Sequence, residues 1–124
     1  MASVFILNPL KDLDDLRKKK EYFTAIVFAN TYIEYFGFKK ILSTLQERGI
    51  QVPEEKLKNL RLSEIILLLY TLGIVDLNTY GELHRLRRAR NRLVHEVSKR
   101  YVLTDQNAVQ LIRSAKECIR KLMR

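Results

Sequence analysis

The sequence predicts an all-α fold, an antiparallel bundle of four or five helices, and three observations carry that reading. Apolar residues recur with helical spacing over most of the chain. Only 4 Gly and 2 Pro punctuate 124 residues, too little turn chemistry for a many-stranded sheet. At that length, a hydrophobic content of 47% supplies one core, and so one domain over residues 1–124. No internal repeat or low-complexity tract divides it.

The elements follow in order. Asn8-Pro9 ends an N-terminal arm and opens a helix, because Pro suits the first helical turn. The helical pattern then runs to about Arg48, with a break or kink expected near Gly37. Residues 22–38 are apolar almost all round (Tyr22, Phe23, Ile26, Val27, Phe28, Tyr32, Ile33, Tyr35, Phe36 and Phe38), as befits a central helix or one that also covers a partner. Gly49 caps its end. Pro53-Glu54-Glu55 opens a short helix with acids in its first turn. Ser63-Glu64 starts another through the apolar run 65–70, ended by Gly73. Asp76 or Asn78 caps a helix over about 79–98, and Thr104 or Asp105 caps the last. The stripe of that last helix is Ala108, Leu111, Ile112, Ala115, Cys118, Ile119 and Leu122, which makes Cys118 a core thiol rather than a nucleophile.

Composition narrows the function classes. The apolar run 65–70 is far short of the ~20 residues a bilayer span needs. The first seven residues lack a basic n-region and make a poor secretory leader. A single cysteine excludes an internal disulfide framework and points to the cytoplasm. No Cys/His cluster has zinc-ligand spacing, so neither metal nor other cofactor is expected. The net charge of +9 is unevenly spread. Residues 1–80 carry 11 Lys/Arg against 10 Asp/Glu, whereas residues 81–100 carry 7 against 2 and residues 101–124 carry 5 against 2. A positive field confined to the last third indicates a located anionic partner.

The basic helix holds the chemistry. On a wheel of residues 83–101, Leu83, Leu86, Ala89, Leu93, Val94, Val97 and Tyr101 share one side, and Arg90 falls among them. A charge on a bundle face needs a partner. His84, Arg87, Asn91, His95 and Ser98 form a polar stripe beside it, with Asn91 and His95 four apart. Arg85, Arg92, Glu96 and Lys99 point further outward. In the central helix, Asn30 and Glu34 lie among Phe23, Ile26, Val27 and Ile33, and Glu34 is expected to approach Arg90.

The segment Leu83-His84-Arg85-Leu86-Arg87-Arg88-Ala89-Arg90-Asn91-Arg92-Leu93-Val94-His95-Glu96 resembles the signature helix of HEPN-domain proteins. Their motif is an Arg, usually followed by a polar residue, with a His a few residues on. Here four residues separate Arg90 from His95, and Asn91 fills the polar slot. Ala25, Ala29 and Glu34 in an aromatic helix are similar to the acidic helix that many members have in their first half. The specific part of the resemblance is about fourteen residues long.

The resemblance implies a helical bundle, often a homodimer with two motif helices facing each other, and a metal-independent endoribonuclease that uses the ribose 2′-hydroxyl as nucleophile. By the same resemblance His95 is the acid/base, Arg90 holds the scissile phosphate and Asn91 orients either of them, with Glu34 in support. It also implies a toxin or defence factor, with an antitoxin or a nucleotidyltransferase as further partner. Some toxin members carry Tyr two residues after the His, where this chain has Val97.

The residue types suit that chemistry. An imidazole, with a reference pKa of ~6.5, moves protons near neutrality, and an Arg fork stabilises phosphate oxygens. His84 and His95 are eleven residues apart, ~16 Å along one helix, so they cannot serve one phosphate. A two-fold dimer would pair two copies of His95. Arg87, Arg88, Arg92 and Lys99 are the candidate RNA contacts. Two other readings compete: a non-catalytic HEPN-like RNA-binding or partner-binding dimer, and a generic basic DNA binder. The second of these ranks last, because no short helix-turn-helix loop precedes residue 79.

Overall fold

Short polar side chains and left-handed C-terminal turns set the helix boundaries. Asn8 accepts from the Lys11 amide (3.4 Å), Asp76 from Thr79 (2.8 Å) and Thr104 from Asn107 (3.2 Å), each capping a helix start. The Glu64 carboxylate likewise accepts from the Arg61 amide at 2.9 Å. A computed structural model describes residues 8–95 and 103–124 as six helices. They are α1 (Pro9–Lys18), α2 (Tyr22–Glu47), the single turn α3 (Glu54–Leu57), α4 (Leu62–Thr71), α5 (Leu77–His95) and α6 (Asp105–Met123). No strand occurs among the described residues, and none of these helices is long and apolar enough to cross a membrane.

The break expected near Gly37 lies instead at residues 19–21. Three helices end in the same way. The amides of Lys20 and Glu21 return to Arg17 and Leu16, those of Gly49 and Ile50 to Gln46 and Leu45, and those of Gly73 and Ile74 to Tyr70 and Leu69. Each is a Schellman turn, whose pivot needs positive φ. Gly49 (φ 71°) and Gly73 (φ 74°) supply it freely, whereas Lys20 (φ 58°) does so against its own Cβ. The sequence disguises the first stop because the pivot is not glycine. The lysines at 18–20 are all exposed there, at the negative end of α1.

Gly37 has another use. It is buried mid-helix in α2, and a Cβ built on it would come within 2.9 Å of Ile65 and 3.3 Å of Leu69. The glycine lets α4 lie close against α2.

α2 is the central helix and packs against every other helix. α1 runs back along it, and the Tyr32 hydroxyl donates to Asp12 at 2.7 Å. Burial, reinforced by that carboxylate, pushes the Tyr32 phenol up to about 12. α4 lies alongside α2 in the same direction, because the loop through α3 carries the chain back first. Accordingly Gly37 meets Ile65, and Arg48 reaches the Leu72 carbonyl at 2.7 Å. α5 then descends antiparallel to α2, and α6 climbs again. Lys121 donates to Thr79 (2.9 Å) near the top of α5, Ser114 donates to Glu82, and Lys40 reaches the last carbonyl. The expected stripe of α6, Cys118 included, is wholly buried. Burial pushes the Cys118 thiol up to about 11, which suppresses thiolate chemistry.

Replacing Lys20 by glycine removes the left-handed strain. The expected outcome is a stabilisation of about 1 kcal/mol in denaturant unfolding. A destabilised variant would contradict the turn assigned at residues 19–21.

Candidate functional site

The site begins with a buried amide on the central helix. Asn30 is fully buried, and its Nδ2 donates to the Ile26 carbonyl (2.8 Å) and to the Leu86 carbonyl of α5 (3.1 Å). Its Oδ1 has no partner among the described residues. Two such bonds contribute ~1–3 kcal/mol together, and a buried unpaired acceptor costs about as much. The residue therefore adds little net stability. What it fixes is register, since only one height of α5 puts a carbonyl within its reach.

Leu86 is one turn before Arg90, so the lock sets the height of the basic segment. Arg90 is half-buried, and its Nη2 donates to Asn91 Oδ1 at 3.3 Å. Asn91 is half-buried, and His95, one turn on, is exposed. The three residues thus occupy the last two turns of α5, beside Val94, which is 46% exposed. The wheel had placed Val94 on the bundle face. Leu86, Ala89 and Leu93 fill that face instead, and Val94 lies one residue past the buried stripe.

Glu34 and Arg90 form no ion pair, and the antiparallel register explains why. From the Asn30–Leu86 contact, Glu34 lies one turn up α2, whereas Arg90 lies one turn down the bundle. Eight residues at 1.5 Å separate them by ~12 Å along the axis. Glu34 is exposed and lines a groove with Tyr35, Leu57, Leu60 and Ile65. Among the described residues, the hydrogen-bond partner of Arg90 is therefore a neutral amide, 3.3 Å away. A guanidinium has five donors, and Asn91 takes one of them.

The other candidate cations divide. Arg87 is half-buried and donates through Nε to His84 Nδ1 (3.3 Å). Arg88 and Arg92 are exposed, and Arg85 pairs with Glu82 at 3.6 Å. Lys99, Val97 and Ser98 lie outside the described residues. Elsewhere, a groove between α1 and α6 holds Arg17, Arg113, Lys116 and Arg120, and acids pair with three of these four. Asp14 takes Lys116 (2.8 Å) and Arg17 (3.7 Å), and Glu117 takes Arg120. The hydrogen bond from Lys116 holds the Asp14 carboxyl below its ordinary value.

One cluster escaped the sequence reading. Tyr70 of α4 packs on Tyr80 (ring centroids 4.9 Å apart), and Tyr80 meets His84 edge to face at 4.6 Å. The available signal was the spacing of Tyr80, His84 and Arg87 on one face of α5; Tyr70 joins only through the α4–α5 turn. The Nδ1 of His84 can accept from Arg87 only when the imidazole is neutral. Burial, then the charges of Arg87 and Arg88, hold its pKa below 6.5.

Compared with protein-family models, with curated proteins and with solved structures, the chain finds no significant match.

The depressed His84 pKa has a definite sign. Below about 6.5 the unfolded chain takes a proton that the folded imidazole refuses. The contribution of neutral His84 is thus present above that pH and is lost as the pH falls below it. An NMR titration should give His84 a midpoint below 6.5, and His84→Gln should flatten the stability profile between pH 6.5 and 5. A midpoint above 6.5 would be incompatible with the Arg87 contact.

Proposed function

We propose that the chain is a HEPN-like, metal-independent endoribonuclease whose site is completed by a second copy. The observation that carries this reading is the end of α5, where a half-buried Arg90 that, among the described residues, bonds to Asn91 precedes an exposed His95.

In this reading the Arg90 fork grips the scissile phosphate, whose charge grows in the transition state, while Asn91 holds the guanidinium in place. One His95 takes the proton of the ribose 2′-hydroxyl. The 2′ oxygen attacks phosphorus, and the bond to the 5′ oxygen breaks. The partner subunit's His95 protonates that leaving oxygen, giving a 2′,3′-cyclic phosphate and a 5′-hydroxyl end. A single protomer offers only one histidine here, because His84 lies about 16 Å up the same helix in the tyrosine cluster. Exposed Val94 and Phe23 (50% exposed) support self-association. The antiparallel register places them at about the same height in the bundle.

The test is cleavage of a mixed RNA pool in EDTA, wild type beside His95→Ala. General acid–base catalysis contributes ~10²–10⁴-fold, so the variant should lose at least about 100-fold while still binding RNA. Equal cleavage by both proteins would remove His95 from the mechanism. RNA binding without cleavage by either would favour the non-catalytic RNA-binding dimer.

A further inference from the structure

A half-buried flank of α5 continues beyond the proposed site in a direction the cleavage chemistry does not use. Counting at 100° per residue, Tyr80, Arg87, Asn91, His84 and His95 fall within about 80° of one another. They form a line ~22 Å long from Tyr80 to His95. Its upper end is aromatic, and Arg87 follows at its middle. Tyr70 is 40% exposed and packs on Tyr80, Tyr80 meets His84, and His84 accepts from Arg87. Each member is thus held by the next, which lowers the entropy a ligand must remove when it binds. A row of fixed rings leading to arginines suits unpaired bases followed by their phosphates. A duplex, whose bases are already stacked, offers nothing to such rings.

We propose that Tyr70, Tyr80, His84 and Arg87 form a stacking track that guides single-stranded RNA along α5 to Arg90. The inference rests on the ribonuclease reading only for its destination, since the track binds RNA with or without cleavage. Stacking is tolerant of base identity, so the track selects unpaired strands rather than a sequence. The phosphate contacts near Arg87 and Arg88 add a salt-dependent part to the affinity.

The chain contains no tryptophan, so Tyr70→Trp installs a single fluorescent reporter. The probe is single-stranded octa-adenylate, compared with a blunt RNA duplex. Octa-adenylate should quench the reporter strongly and the duplex should not. Phe28→Trp serves as control, because Phe28 packs on Tyr32, on the side that faces α1. It should stay unquenched. By anisotropy, Tyr70→Leu should weaken octa-adenylate binding by on the order of 10-fold, with an unchanged melting temperature, while Tyr70→Phe stays near wild type. An unquenched reporter, equal quenching by duplex, or unchanged binding by Tyr70→Leu would each overturn the track. So would a reporter signal that grows with protein concentration in the absence of RNA, which would assign the face to a second copy. The two readings fail separately. Quenching with no cleavage sinks the nuclease alone, and His95-dependent cleavage with an unquenched reporter sinks the track alone.

Discussion

One buried amide fixes how the two principal helices meet. Asn30 reaches across from α2 to a backbone carbonyl of α5, and the rest of α5 is positioned by that height. The contact adds little net energy, since its bonds and its unsatisfied oxygen nearly cancel. Apolar packing around Ile26, Leu83 and Leu86 holds the helices together, but such packing tolerates slippage that an amide–carbonyl bond does not.

With that height set, the direction of α5 determines what surrounds Arg90. Because α5 runs down while α2 runs up, the acid of α2 recedes from the arginine with each turn. Arg90 is left half-buried beside a neutral amide and near an exposed histidine. Had the two helices run parallel, Glu34 would have come to the height of Arg90. Among the described residues, no carboxylate reaches Arg90, whose hydrogen bond goes to Asn91.

The sequence made the bundle legible because its helices announce themselves by capping side chains and by stripes such as that of α6. The choice of α5 rests on the concentration of charge there. The failures share a physical origin. Lys20 occupies a seat that glycine usually takes, so the first helix stop was invisible, and Gly37 was read as a break although it serves close packing. The Glu34–Arg90 pairing failed because a wheel gives the face of a residue but not its height against a neighbouring helix. Val94 failed because the width of a buried stripe depends on what covers it. Tyr70 was out of reach, since it joins Tyr80 and His84 only when α4 and α5 pack side by side.

The central claim is that the Asn30–Leu86 bond holds the Arg90 segment at its height. Amide hydrogen exchange in wild type and Asn30→Leu tests it most directly. The leucine fills the space but gives Leu86 no donor. The account predicts at least ~10-fold faster exchange over residues 86–95, with α6 unchanged and little loss of global stability. Identical protection along α5 in the two proteins would contradict it, and would mean that apolar packing alone sets the register of the basic helix.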